Sequence, residues 1–206
     1  MNPNKILFNS FFVKKTLLQN RYKKNCLQFS ESLRYSNFNK ILKSNKIIKK
    51  NKKKISLLIV TDYDDDQNRS LLEIVRSFKL NNKYSLYLKN HPLKKLEIKQ
   101  HNLKIIDNID DFNNQIDLAI VGNKTAASLD LYHKNYNILI FLDSNDLDYS
   151  PLHKFIDYKT FFSINELKKL LDIYSSKLKY SVSKNIKKKY FITNKNLLGW
   201  KKIVRV

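Results

Sequence analysis

"IDLAIVGNKTAASLDLYHKNYNILIFLD", Ile116 to Asp143, decides the fold. Two apolar runs, "IDLAIVG" and "NILIFLD", flank "KTAASLDLYHK", which reads as a helix. Short continuous apolar runs mark strands buried on both faces. A strand, a helix and a second strand at this spacing imply parallel neighbours joined by a right-handed crossover. The turn out of the first strand holds Gly122, one of only two glycines in 206 residues.

The same pattern continues in both directions. Upstream, "ISLLIVTDY" is another apolar run, ending in the acidic "DYDDDQN". "RSLLEIVRSF" then places Leu71, Leu72, Ile74, Val75 and Phe78 on one helical face. "KYSLYLKNHP" reads as a second strand closed by Pro92, and "LKIID" as a short third. Downstream, "KTFFS" reads as a sixth strand, followed by the helix "INELKKLLDIYSSKL". Ser163 or Asn165 can cap that helix, with Glu166 in its first turn.

The expected fold is α/β: a Rossmann-like parallel sheet of about five or six strands, with helices on both faces. Ser56–Val60, Leu86–Leu88, Leu118–Val121 and Ile138–Leu142 should be its central strands. This domain is expected to span residues 55–206 and to include a C-terminal helix. Residues 1–54 form a basic extension that should be mostly helical, on the spacing of apolar residues in "QFSESLRYSNFNKIL". It ends in the lysine-rich "KSNKIIKKNKKK".

A hydrophobic fraction of 42% is enough for a core, and a mean hydropathy of −0.49 does not describe an integral membrane chain. No apolar run approaches the ~18 residues that span a bilayer. "ILFNSFFVKKTLL" is broken by Asn, Ser and two lysines, so it reads poorly as a signal peptide. The single cysteine, Cys26, excludes an internal disulfide and suits a reducing compartment. A cytoplasmic protein is expected.

The formal net charge of +22 has two readings. One is an anionic partner: nucleic acid, a membrane face or a phosphorylated substrate. The other is composition. Lys, Asn and Ile are over-used while Gly, Ala and Arg are scarce, as in a chain from AT-rich coding sequence. The scarcity of Arg speaks against specific nucleic-acid recognition, since bidentate phosphate and guanine contacts favour Arg over Lys.

In parallel sheets, ligands sit beyond the carboxyl ends of the strands. That rule selects four loops: "TDYDDDQN", "KNHP", "VGNKTAAS" and "LDSNDLDYSPL". Gly122 can take backbone angles that other residues avoid. Thr125 stands at the start of a helix, where free N–H groups favour an anion. Hydroxyls on Thr125 and Ser128 could add hydrogen bonds, and Lys124 a charge. Alternatively, Asn123 or Thr125 merely caps the helix. His91, stiffened by Pro92, faces the same rim and could bind a phosphate or move a proton. The four histidines show no ligand-pair spacing. "DYDDD" could hold a divalent cation or be an acidic loop at a strand end. Walker, dinucleotide-glycine and Gly-x-Ser-x-Gly spacings are absent.

These motifs, in this order, resemble the C-terminal half of a GT-B type glycosyltransferase, in particular the bacterial surface-carbohydrate biosynthesis family. The resemblance runs from about Gln28 to the end. It is carried by "TDYDDDQN", "KNHP", "GNKTAASLDLY", "NYNILIFLDSNDLDYSPLHK" and "YFITNKNLLGW". Asp130 and the run Ser150, Pro151, Leu152 are its most specific matches. The resemblance implies a nucleotide-sugar donor as substrate, no further cofactor and no metal requirement. It assigns the donor phosphate or its sugar to His91, and the phosphate to Gly122, Lys124, Thr125 and Ser128. Asp143, Ser150 and Leu152 fall on the nucleotide side. Asp62, Asp64 and Gln67 fall in the loop after the first strand. Ala126 departs from the family's serine, Lys124 from a small residue, Asn135 from a glycine and Asn137 from a proline.

A GT-B enzyme has two Rossmann-like halves, and this sequence accounts for one. The implied partner is a separate acceptor-binding half, with the chain in the cytoplasm or peripheral at the inner membrane face. The alternatives are a non-catalytic remnant that binds nucleotide-sugar, and a basic protein of nucleic-acid or membrane surfaces on the same scaffold.

Overall fold

The computed structural model describes residues 4–33, 54–77, 83–96, 103–112, 115–134, 136–152, 158–176, 194 and 196–204. The chain divides into two compact units: a sheet domain, Lys46–Tyr180, and a small unit made of Met1–Asn45 with Ser181–Val206.

In the small unit, β1 (Ile6–Phe8) pairs in parallel with β2 (Leu27–Phe29) across α1 (Phe11–Gln19). Ser10 caps α1 by accepting the Val13 N–H at 3.0 Å. The helix ends in a paired turn: the Tyr22 N–H donates to the Leu17 carbonyl and the Arg21 N–H to that of Leu18, both at 3.1 Å. This turn needs a left-handed residue, and Arg21 supplies it with φ of 65°.

The expected helix over Gln28–Leu42 does not begin as one. Leu27–Phe29 forms strand β2, because ladder bonds to β1 and the Phe29 ring, 6.1 Å from that of Phe8, outweigh the helical spacing. Residues 34–42 lie outside the described residues. Helix α5 (Leu198–Val204) was expected in the sheet domain and groups instead with the N-terminal segment. Glu31, 1% exposed, explains the grouping. Its carboxylate accepts the Gly199 N–H at 2.8 Å and the Trp200 N–H at 3.1 Å, capping a helix 168 residues away. Its carbonyl accepts the Trp200 indole N–H at 2.8 Å.

The sheet domain is built on β3 (Ile55–Val60), β4 (Tyr84–Lys89), β5 (Leu103–Ile105), β6 (Leu118–Gly122), β7 (Asn137–Phe141) and β8 (Lys159–Phe161). All five pairings are parallel, in the order β5-β4-β3-β6-β7-β8. The expected α/β class is therefore present, and the four segments expected at the centre are its four central strands. The order reverses between β3 and β6. Right-handed crossovers to the left and to the right of that point put helices on opposite faces.

The core follows the same division. Leu57, Ile59, Leu86, Leu88, Leu118, Ile120, Leu139 and Phe141 form one cluster with Leu71 and Ile74 of α2 (Asp65–Ser77) and with Leu167 and Leu171 of α4 (Ile164–Ser176). The alternate residues Leu58, Val60, Ala119, Val121, Ile138 and Ile140 are equally buried, on the face of α3 (Ala127–His133) with Leu131 and Tyr132. Phe78 lies outside the described residues. Of the two expected caps of α4, Ser163 serves: it accepts the Glu166 N–H at 3.3 Å, and Glu166 accepts the Phe162 N–H at 2.7 Å. No helix among the described residues is long and apolar enough to cross a membrane.

Candidate functional site

The carboxyl ends of β3 and β6 meet at the reversal point, where such sheets bind ligands. Here the crevice is filled by the chain's own polar groups. Asp62, 5% exposed, follows β3 and is tied on every side. Its backbone N–H donates to Asn68 Oδ1 and its carbonyl accepts from Asn68 Nδ2, both at 2.8 Å. Its carboxylate accepts the Tyr63 N–H at 2.6 Å and the Lys124 N–H at 3.1 Å. With its nitrogen turned towards Asp62, the Gln67 carboxamide donates to Asp62 Oδ2 at 3.0 Å and accepts the Asn123 N–H at 3.2 Å. Asp62 and Gln67 thus join the β3 loop to the β6 loop.

That junction explains Gly122, and not for the reason the sequence suggests. Its φ is not positive. A Cβ there would stand 2.7 Å from the end of the Gln67 carboxamide and 3.0 Å from Asp62 Oδ2. Close approach, not backbone freedom, requires the glycine.

Lys124 is not a free cation. Its ammonium lies 2.7 Å from Asp64 and 3.2 Å from Asp146, bridging the β3 and β7 loops. The Asp64 bond, assisted by Asp146, holds the ammonium above the usual lysine range, and Lys124 in turn draws the Asp64 carboxyl below its own. Both side chains are about one-third exposed, so solvent screens the pair. Asp64 also caps α2, accepting the Asp66 N–H at 3.0 Å and the Gln67 N–H at 3.3 Å. The helix start where Rossmann-like folds commonly hold a phosphate therefore carries a carboxylate cap, with Asp65 and Asp66 beyond it.

The loop into α3 is also largely satisfied internally. Thr125 Oγ1 accepts the Ala127 N–H at 3.2 Å, while Ala126, at the N-cap position itself, has no side-chain cap bond. Ser128, fully buried, donates its hydroxyl to the Thr125 carbonyl at 3.0 Å. Asn123, equally buried, donates from Nδ2 to the Leu147 carbonyl at 2.6 Å, which leaves its Oδ1 without a partner. Asp143 accepts the Asn145 N–H at 3.1 Å and the Ser70 hydroxyl at 3.4 Å, linking the β7 loop to α2. Ser150 accepts the Leu152 N–H at 3.3 Å, and Leu152 is fully buried. Asp148 accepts the Ser150 N–H at 2.9 Å and the Tyr158 hydroxyl at 2.8 Å. Burial, and then that bond, push the Tyr158 phenol up to about 12.

His91 is different. Thr61 Oγ1 accepts its backbone N–H at 2.8 Å, pinning the end of β4 to β3. Its Nδ1 accepts the Leu93 N–H at 3.3 Å. A neutral ring with Nδ1 as acceptor carries its proton on Nε2, so this turn fixes the tautomer. Tyr63 meets the ring edge-on at 5.7 Å between centroids. Lys94 stands 4.8 Å from the Tyr63 centroid and pairs with Asp65 at 2.6 Å.

The residues expected from sequence fall into four groups, one of them Thr125 and Ser128, which bond to each other in the loop into α3. Asp62, Asp64, Gln67, Gly122 and Lys124 form one bonded cluster, reached by Asp143 through Ser70 on α2. His91 joins β3 through Thr61. Ser150 and Leu152 lie in a tightly bonded turn of their own. Sequence reasoning missed Thr61, Asn68 and Asp146. The signal available was the polar run after β3, which is longer than one cap requires. Among the described residues, no group of three or more His, Cys, Asp or Glu side chains is placed to hold a metal ion.

No family model matches the chain, and no curated protein matches it either.

Proposed function

We propose that the sheet domain binds a nucleotide-sugar at the carboxyl edge of its sheet, as the donor-binding half of a GT-B type glycosyltransferase of surface polysaccharide synthesis. His91 carries this reading. It lies two residues beyond the end of the central strand β4, at the edge where α/β sheets take ligands, and its bonded Nδ1 leaves the Nε2–H as a fixed donor. Such a donor suits a phosphate oxygen or a sugar hydroxyl. A phosphate at Lys124 would have to displace Asp64 or Asp146, whereas one at His91 displaces no carboxylate. The donor phosphate is therefore assigned to the His91 side, and donor hydroxyls to the carboxylates of Asp64 and Asp146. The acceptor is supplied by a separate half.

Calorimetric titration with CMP-, UDP- and GDP-sugars tests this directly. The expected result is binding of one class that His91→Ala weakens by about tenfold, the loss of one hydrogen bond of about 1–1.5 kcal/mol. Binding unchanged by His91→Ala, or a folded wild type that binds no member of the panel, would contradict it.

A further inference from the structure

The net charge is unevenly divided between the two units. The small unit carries 17 Lys and Arg against a single acidic residue, Glu31, while the sheet domain carries 23 against 17. Glu31 is 1% exposed and its carboxylate is spent on the backbone of Gly199 and Trp200. The small unit therefore presents no carboxylate among its described surface residues. Even scatter of lysine by composition bias does not produce this, because the sheet domain shares the bias and balances most of its charge.

Helix α1 adds a second observation. None of its residues is buried. Phe11, Lys14, Lys15 and Leu18 share one face at i, i+3, i+4 and i+7. Phe11 is 57% exposed and Leu18 40%. Leu7 of β1 is also exposed. A solvated helix face carries polar groups; this one ends in two large apolar side chains with lysines between them. That combination fits the boundary of a bilayer, where apolar side chains enter the acyl region and ammonium groups meet headgroup phosphates.

We propose that the small unit docks on an anionic lipid surface through α1, with Phe11 and Leu18 inserted and Lys14 and Lys15 against the headgroups. Single-stranded nucleic acid is the competing polyanion. Phe11 offers a base one ring, but Leu18 and Leu7 beside it offer none, and the unit has few arginines.

The test is flotation of the full chain with phosphatidylcholine vesicles, with and without phosphatidylglycerol. It needs no nucleotide-sugar, so its outcome is independent of the donor site. Binding should require the anionic lipid and weaken with salt. Lys14→Gln with Lys15→Gln should reduce partitioning by at least tenfold, at roughly fivefold per lysine. Phe11→Ser with Leu18→Ser should reduce it by a similar factor at constant charge, with an unchanged far-UV circular dichroism spectrum. The proposal is overturned by absence of vesicle binding, or by equal binding to neutral vesicles. Vesicle binding indifferent to the Phe11 and Leu18 changes would overturn it too. A single-stranded oligonucleotide that binds more tightly than the vesicles, with the same dependence on Phe11, would assign the face to nucleic acid instead.

Discussion

The two units use carboxylates in opposite ways. In the sheet domain four of them gather at one edge, where Asp62, Asp64, Asp143 and Asp146 cross-link three loops and neutralise Lys124. In the small unit a single buried carboxylate holds the start of a helix, and the surface is left to lysines. The chain's two glycines follow the same division: each sits where a Cβ would strike a carboxylate group or its neighbour. A net charge of +22 therefore says little about the candidate ligand rim, which is rich in acid, and much about the small unit.

The largest effect should come from Glu31→Ala. It leaves the Gly199 and Trp200 N–H groups without their acceptor, at about 1–3 kcal/mol for each buried group. Trp200 is the only tryptophan and bonds to Glu31, so its fluorescence in urea reports this unit. The expected outcome is a Trp200 transition at much lower denaturant. An unchanged midpoint would mean that Glu31 does not hold the two segments together.

The glycines sharpen the comparison. At Gly199 a new Cβ meets the Phe29 carbonyl at 2.9 Å as well as Glu31 at 2.8 Å, and backbone yields little. At Gly122 its neighbours are the side chains of Gln67 and Asp62. Gly199→Ala should therefore cost about 2–3 kcal/mol and Gly122→Ala about 1–2 kcal/mol, within the range of overpacked sites. Thermal melts followed by Trp200 emission and by far-UV dichroism check the ranking; the reverse order would contradict it.

Arg21→Gly should act the other way. Arg21 holds the left-handed position of the turn after α1, which glycine adopts without a steric penalty. The substitution should stabilise the small unit by roughly 0.5–1 kcal/mol. A loss of stability would show that the Arg21 side chain makes a contact worth more than the strain.

Lys124→Met should have the smallest effect on stability, up to about 1 kcal/mol, because the pair it breaks is partly exposed. Its pH dependence carries the information. The folded Asp64 carboxyl lies below its ordinary 3.8, so its contribution is present above that value and is lost as pH falls through the folded one. The Lys124 ammonium is raised above 10.5, so its contribution is present below that value and is lost only as pH rises beyond it. The difference between wild type and variant should be flat through neutral pH and shrink in strong acid. A difference that changes around neutrality would point to another titrating group.

Much of the fold was legible in sequence because buried parallel strands appear as continuous apolar runs, and Leu57–Val60, Leu118–Val121 and Ile138–Phe141 are such runs. Local pattern also gave the Ser163 cap. What escaped was contact between distant positions. β2 has only three residues and is a strand because β1 lies beside it. Glu31 meets Gly199 and Trp200 across almost the whole chain, and Asp62 meets Lys124 across 62 positions. That the rim loops share one edge of the sheet was legible from the strand pattern. Their wiring was not, because Lys124 and Ser128 look available in one dimension and are already bonded in three.

The donor site at His91 is the central claim, and imidazole nitrogen-15 spectroscopy of the full chain tests it most directly. His91→Ala assigns the signal among the four histidines. The wild-type ring should show a protonated Nε2 and an acceptor Nδ1, and the Nε2 signal should move on addition of the nucleotide-sugar that binds. A ligand that binds while the His91 signals stay still, or a ring protonated on Nδ1 in the neutral form, would contradict the account.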